Sequence, residues 1–192
     1  MSKQKTIFIC LVVLVVLTVG FLVYFGLNKN KRSPKSALLP TIPSLNMKLT
    51  SPAFENNGFI PSKYTCDGED INPPLEIQDV PEEAKSLVLI VDDPDAPMGT
   101  WVHWVVWNID PTTEKIEENE VPEGAVEGLN DFKKHSYGGP CPPSGTHHYH
   151  FKLYALNKTL EIDSSSEKED VEKAMADSII AQAELVGLYQ RQ

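Results

Sequence analysis

An uncharged apolar run, Ile7 to Leu27 (IFICLVVLVVLTVGFLVYFGL), divides the chain before any fold can be considered, because it interrupts its hydrophobicity only at Thr18. Its 21 residues, at about 1.5 Å of helical rise each, match the roughly 30 Å hydrocarbon core of a bilayer. A cleaved signal peptide is the competing reading. It would normally carry a shorter apolar stretch followed by small residues at the cleavage site, whereas this run leads into NKNKRSPK. The expectation is therefore an N-terminal arm at 1–6, a single uncleaved transmembrane helix at 7–27, a Pro- and Ser-containing linker at 28–46, and one folded domain at 47–192. Cys10 lies within the span as a membrane-buried bystander.

Charge splits along the same line. Six of the 17 basic residues precede residue 37, where there is no Asp or Glu, so the remainder sets 11 basic residues against 27 acidic ones. A body that acidic repels phosphate backbones and excludes sequence-independent nucleic-acid binding. Basic residues on the two sides of the span are nearly balanced and do not orient it. A short arm, one span and a whole domain after it form the order of a signal anchor, which favours an extracytoplasmic domain. Asn157-Lys158-Thr159 fits the N-glycosylation tripeptide, a pattern common by chance.

Within the domain, Ser86–Val91, Trp101–Ile109 and His150–Leu156 read as strands. The first is apolar on both parities, as a strand covered on both faces must be. Pro-rich turns separate these segments (Asn72-Pro73-Pro74, Asp93-Pro94, Ala96-Pro97, Pro142-Pro143). Near the C-terminus, Ser166 to Glu169 fits a capping box, and Val171, Met175, Ile179, Ala183 and Val186 then supply a stripe at helical spacing. The expectation is a β-rich domain with one substantial C-terminal helix.

Chemistry concentrates in DDPDAP (92–97), WVHW (101–104) and YGGPCPPSGTHHYHF (137–151). Asp93 and Asp95 follow an apolar strand and stand at its rim, where a solvated turn is the plainer explanation. His103 is expected on the strand face of Trp101, Val105 and Trp107. Free backbone at Gly138-Gly139 and restrained backbone at Pro140, Pro142 and Pro143 suit a preformed loop that offers N–H groups to a ligand. Alternation places His147 and Tyr149 on one face and His148 and His150 on the other. An imidazole beside a phenol binds anionic or hydroxylated groups.

DPDAP, the Trp/His pair and GPCPPSGTHHYHF together resemble the phosphatidylethanolamine-binding protein family, also called Raf kinase inhibitor proteins. YTCDGEDINPPL (64–75), GLNDF (128–132) and AELVGLYQR (183–191) are similar to its bacterial and archaeal branch. The resemblance implies antiparallel Greek-key β-sheets with peripheral helices, and a small pocket for phosphate, acetate or a phospholipid head group. Carried over position by position, it implies ligand-binding roles for Asp93, Asp95, His103, Gly139, Cys141, His147 and Tyr149, with Trp101 in the wall. Cys141 stands where animal members carry Gly.

The chemistry so implied is recognition without turnover and without a cofactor. A carboxylate beside an imidazole favours its cation, which donates to phosphate oxygens; His103 and His147 are therefore expected to be partly protonated when the anion binds. Two rival readings use the same residues. His103, His147 and a carboxylate would form a zinc site, or Cys141 and His147 would act as nucleophile and base of a hydrolase. Cys66 and Cys141, the two cysteines of the domain, form either one disulfide or two separate buried thiols. A protein partner, modulated in the manner of an inhibitor, is a further expectation whose identity the residues leave open.

Overall fold

The computed structural model describes residues 47–191. The expected N-terminal arm at 1–6, transmembrane helix at 7–27 and linker at 28–46 all lie outside the described residues. Among the described residues no helix is long and apolar enough to cross a membrane.

The domain is mainly β. Among the described residues nine strands form, in chain order, β1 (Lys48–Thr50), β2 (Gly58–Phe59), β3 (Leu75–Gln78), β4 (Ser86–Asp93), β5 (Trp101–Ile109), β6 (Lys115–Ile116), β7 (Val126–Glu127), β8 (His147–Leu156) and β9 (Ile179–Tyr189). A six-stranded sheet runs β2-β9-β8-β4-β5-β7, and a three-stranded sheet runs β1-β3-β6. All pairings are antiparallel except the short β2–β9 contact.

The central strand is β4, all eight of whose residues are buried. Leu87, Leu89 and Val91 on one face pack with Trp104, Val106, Phe151 and Leu153, and the small sheet adds Leu49, Leu75, Ile77 and Ile116 to that core. Val88 and Ile90 on the other face pack with Val105 and Trp107 beneath Val171 and Met175 of the helix α1 (Lys168–Met175). Two covered faces explain why this strand is apolar at every position up to its rim.

The C-terminal helix is shorter than its stripe suggests. It ends at Met175, and Ser178 donates both its N–H and its hydroxyl to the Met175 carbonyl (2.8 Å each). The positions from Ile179 onward belong instead to β9, which pairs with β8 along its length. Residues four apart share a face of a helix and, four being twice two, also share a face of a strand. Ile179 and Ala183 were therefore compatible with either. The cap is shifted by one residue as well: the Glu167 N–H donates to the Asp170 carboxylate (3.2 Å), closing the capping box one residue later than Ser166 and Glu169 would.

Candidate functional site

Strand polarity assembles the site. The antiparallel register puts Asp92 of β4 opposite His150 of β8, and Asp93 opposite Trp101 of β5. The C-terminal end of β4 therefore meets the N-terminal ends of β5 and β8 at one rim of the large sheet. Asp93, His103, His147 and Tyr149 all lie there.

The centre of the rim is a buried pair. His147 Nδ1 is 2.7 Å from Asp93 Oδ2, and the two residues are only 7% and 4% exposed. The other Asp93 oxygen accepts the Asp95 N–H at 2.9 Å, which closes the turn after β4. With both oxygens engaged, Asp93 positions the imidazole. It fixes a proton on Nδ1 and leaves Nε2 directed away from the pair. The Tyr149 ring stacks beside His147 with centroids 6.5 Å apart. Burial first, and then the Asp93 charge, push its phenol well up, while the Cys141 backbone N–H pulls the other way. Tyr149 thus keeps its proton as a neutral donor.

His103 departs from simple alternation. Val91 pairs with Trp104 and Asp92 with Val102, so His103 is an extra residue in β5 without an opposite number in β4. This bulge turns its ring away from the face of Val105 and Trp107 and sets it edge-on to Tyr149, 5.2 Å between centroids. Its Nδ1 lies 2.6 Å from the Gly138 carbonyl oxygen. Burial is the largest influence on the ring and lowers its pKa, outweighing the raising effects of that hydrogen bond and of Asp93, Asp92 and Asp131. Burial thus opposes the expected protonation of His103, an influence that the nearby carboxylates alone do not reveal.

Asp95 binds not His147 but His148, the exposed histidine next to it. Its Oδ2 accepts the His148 N–H (2.9 Å) and lies 2.6 Å from His148 Nδ1. His148 is exposed on the face of β8 opposite His147, as alternation predicts, and Asp95 reaches it from the turn after β4. Hydrogen bonds from the His148 ring, then from its N–H, hold the Asp95 carboxyl below the usual range.

The loop before β8 is held by its neighbours. Cys66 and Cys141 form a disulfide, with Cα atoms 5.5 Å apart. This replaces the alternative of two separate thiols and removes the free thiolate that a Cys141–His147 hydrolase needs. The Gly139 N–H donates to Asp70 Oδ1 at 2.6 Å, so this donor is occupied within the protein. Glycine is required there by close approach: a Cβ would lie 2.7 Å from both that oxygen and Thr65 Cα. Among the described residues no group of three His, Cys, Asp or Glu side chains is placed to hold a metal ion.

Trp101 is 37% exposed and meets Phe132, 39% exposed, edge-on at 5.4 Å. Phe132 also abuts His103. Phe132 ends the GLNDF segment (128–132), but a lone Phe in an Asn-Asp turn carries no periodic signal that would place its ring against His103. Asn130 shapes that turn, donating to the carbonyls of His103 (3.2 Å) and Ser136 (2.7 Å) and accepting the Lys134 N–H (3.0 Å).

Fold and site together define a mainly β domain with a buried His–Asp pair and a phenol at one rim of its large sheet. The chain belongs to the phosphatidylethanolamine-binding protein family, whose sequence model matches residues 50–190. It is 52% identical over 155 residues to a UPF0098 protein of Pyrococcus horikoshii, covering 77% of this chain and 78% of that protein. It is 51% identical over 150 residues to one from Methanothermobacter thermautotrophicus, covering 76% and 99%. Among solved structures, a phosphatidylethanolamine-binding protein homolog from Chlamydia trachomatis superposes with a TM-score of 0.74 at 46% identity, covering 76% of this chain and 98% of that one. Escherichia coli YbcL, described as a member of the mammalian PEBP family, gives 0.72 at 33% identity, covering 76% and 99%.

Proposed function

We propose that this chain is a binding protein whose rim pocket takes phosphate or a phosphorylated head group, by recognition and without turnover. The buried Asp93–His147 pair, with Tyr149 stacked beside it, carries the reading. Asp93 holds the imidazole in place and also takes a hydrogen bond from the Tyr149 hydroxyl, so His147 Nε2 is the group left to meet a ligand, with the Tyr149 hydroxyl beside it. Trp101 and Phe132 wall the rim. The experiment is a phosphate titration of the full-length chain in a phosphate-free detergent, followed by NMR. Shifts should centre on His147, Tyr149 and Cys141, and His147→Ala should weaken binding about tenfold or more, the worth of a charge-assisted hydrogen bond. Tyr149→Phe should weaken it with little dependence on pH. Shifts confined to residues distant from this rim would refute the assignment.

Residues 7–27 are proposed to anchor the domain to the membrane with the pocket on the extracytoplasmic side. Two observations support this: the uncharged length of the run, and the Cys66–Cys141 disulfide, since such bonds persist chiefly in oxidising compartments. The full-length chain should stay with membranes through alkaline carbonate extraction, and its release into the supernatant would overturn the anchor.

A further inference from the structure

Bulky apolar side chains left in water are few in this domain, and they gather. Among the described residues four large hydrophobics are exposed, and three of them, Met98, Trp101 and Phe132, stand at the pocket rim. Met98 occupies the turn that joins β4 to β5, closed by the pairing of Asp93 with Trp101, and at 97% exposure it lies almost wholly in water. Trp101 and Phe132 meet edge-on at the mouth. The turn that presents Phe132 is built by hydrogen bonds: Asn130 accepts the Lys134 N–H and donates to the Ser136 carbonyl, and Asp131 accepts the Val102 N–H at 2.7 Å. Its exposed ring is therefore held out by the fold.

Charge marks the same place. The chain after residue 36 carries 11 basic residues against 27 acidic ones, and Lys133-Lys134, directly after Phe132, is the one adjacent pair of basic residues among them. Both are exposed; Lys133 reaches Glu167, and Lys134 makes no salt bridge among the described residues. Three apolar side chains are too few for a stable protein interface, which buries roughly 1,200 to 2,000 Å². They suffice against a surface to which the chain is already tied, because a tether keeps the local concentration of that surface high. Residues 28–46 are 19 in number and reach about 60 Å at most when extended, against roughly 40 Å across a domain of this size. With residues 7–27 as an anchor, such a tether lets any face of the domain meet the bilayer, and the choice falls to the surface residues.

We propose that the rim is a membrane-docking surface: Met98, Trp101 and Phe132 enter the head-group layer of the bilayer that carries the anchor, while Lys133 and Lys134 meet anionic lipid head groups. An indole is suited to that layer, where one part of the ring is wet and the rest apolar. The acidic remainder of the domain is repelled by the same lipids that attract the two lysines, so charge and apolar contact turn the same face to the membrane. The mouth of the pocket then opens onto the lipid head groups. The inference rests on the reading of residues 7–27 as an anchor and does not depend on what the pocket binds.

The test places the full-length chain in nanodiscs of equal parts phosphatidylcholine and phosphatidylglycerol, with and without bromine high on the acyl chains, and reads tryptophan fluorescence. Of the three tryptophans, Trp104 and Trp107 are buried, so the difference between wild type and Trp101→Phe reports Trp101. Brominated lipid should quench that emission. Lys133→Gln together with Lys134→Gln should lower the ratio of seated to free domain about tenfold. Met98→Asp should restore the emission while leaving the phosphate titration unchanged. Trp101 unquenched in discs that retain the chain would overturn the inference and leave the anchor in place. Shielding of Trp101 from acrylamide only in discs that hold two chains would put a second copy on the patch and equally overturn it. A chain that elutes apart from the discs would remove the anchor reading and this inference with it.

Discussion

His103 shows how one ring gains its properties from position in the backbone. Its pKa in the folded state is lowered, chiefly by burial, below the ordinary value of about 6.5 that it regains on unfolding. In the window between those two values the unfolded chain binds the extra proton. The contribution to stability is therefore complete above about pH 6.5 and is lost as pH falls toward the folded-state value. Replacing His103 by Phe deletes this dependence. Urea unfolding at pH 7 and pH 5, in buffers without phosphate, should show the stability gap between wild type and His103→Phe moving in the variant's favour at the lower pH, by no more than about 1.4 kcal/mol per pH unit. A gap that moves in favour of wild type on acidification would mean that the native ring prefers to be charged. The same residue marks a limit of sequence reading. His147 and Tyr149 were legible as face-sharing neighbours because β8 alternates without interruption through them. His103 was assigned to the wrong face because a bulge adds one residue to β5, and a bulge is defined by the partner strand, which alternation within a single segment does not register.

At the scale of elements, α1 is joined to the sheet by a buried ionic group that no motif announced. Asp92 has no solvent exposure. Its Oδ1 accepts Lys152 Nζ of β8 at 2.7 Å, and its Oδ2 accepts Lys168 Nζ, from the first residue of α1, at 2.6 Å. Burial works against the Lys168 charge, but the hydrogen bond and charge of Asp92 more than offset it, and the ammonium pKa is raised. Asp92→Asn leaves two lysines turned toward a neutral amide and should cost about 3 to 5 kcal/mol, the range for breaking a buried pair from one side. Lys168→Met should cost less, because Lys152 still neutralises Asp92. Replacing Asp92, Lys152 and Lys168 together by apolar residues should recover most of the loss, since both the charges and their desolvation disappear. Urea denaturation of the three variants checks the order, and an Asp92→Asn variant as stable as wild type would show that the group contributes no net stabilisation. The three central strands were legible from their apolar runs and bounding prolines, whereas β9 was read as helix. Its Ile179 and Ala183 satisfy both periods, and pairing with β8, in which ten of the eleven β9 residues take part, decides the outcome. Helical spacing survives only at Val171 and Met175, which face Val88 and Ile90 of the sheet.

Across the whole domain, the Cys66–Cys141 bond joins segments 75 residues apart, and other contacts run parallel to it. The Cys66 N–H donates to the Pro140 carbonyl at 3.1 Å. Asp70 holds Gly139, and the Tyr137 hydroxyl donates to the Tyr64 carbonyl at 3.1 Å. On its outer side the same segment is tied to the end of the chain, where Arg191 and Tyr189 both bind the Asp67 carboxylate. The disulfide segment thus connects the C-terminus to the loop that carries Cys141 beside Tyr149. Closing a loop of that length removes chain entropy from the unfolded state worth about 4 kcal/mol. The paired substitution Cys66→Ser, Cys141→Ser should lower unfolding stability by roughly that amount, and dithiothreitol should reproduce most of the effect in wild type while leaving the variant unchanged. Because Gly139, Pro140 and Tyr137 retain their own hydrogen bonds, the domain should remain folded under native conditions. The loop is then held by fewer constraints, so phosphate affinity should fall while His103 and His147 stay in place on their strands. Unfolding midpoints under reducing and oxidising conditions, measured beside phosphate titrations, separate the two effects. If reduction left both the midpoint and the affinity unchanged, the hydrogen bonds alone would suffice to hold the loop against the sheet.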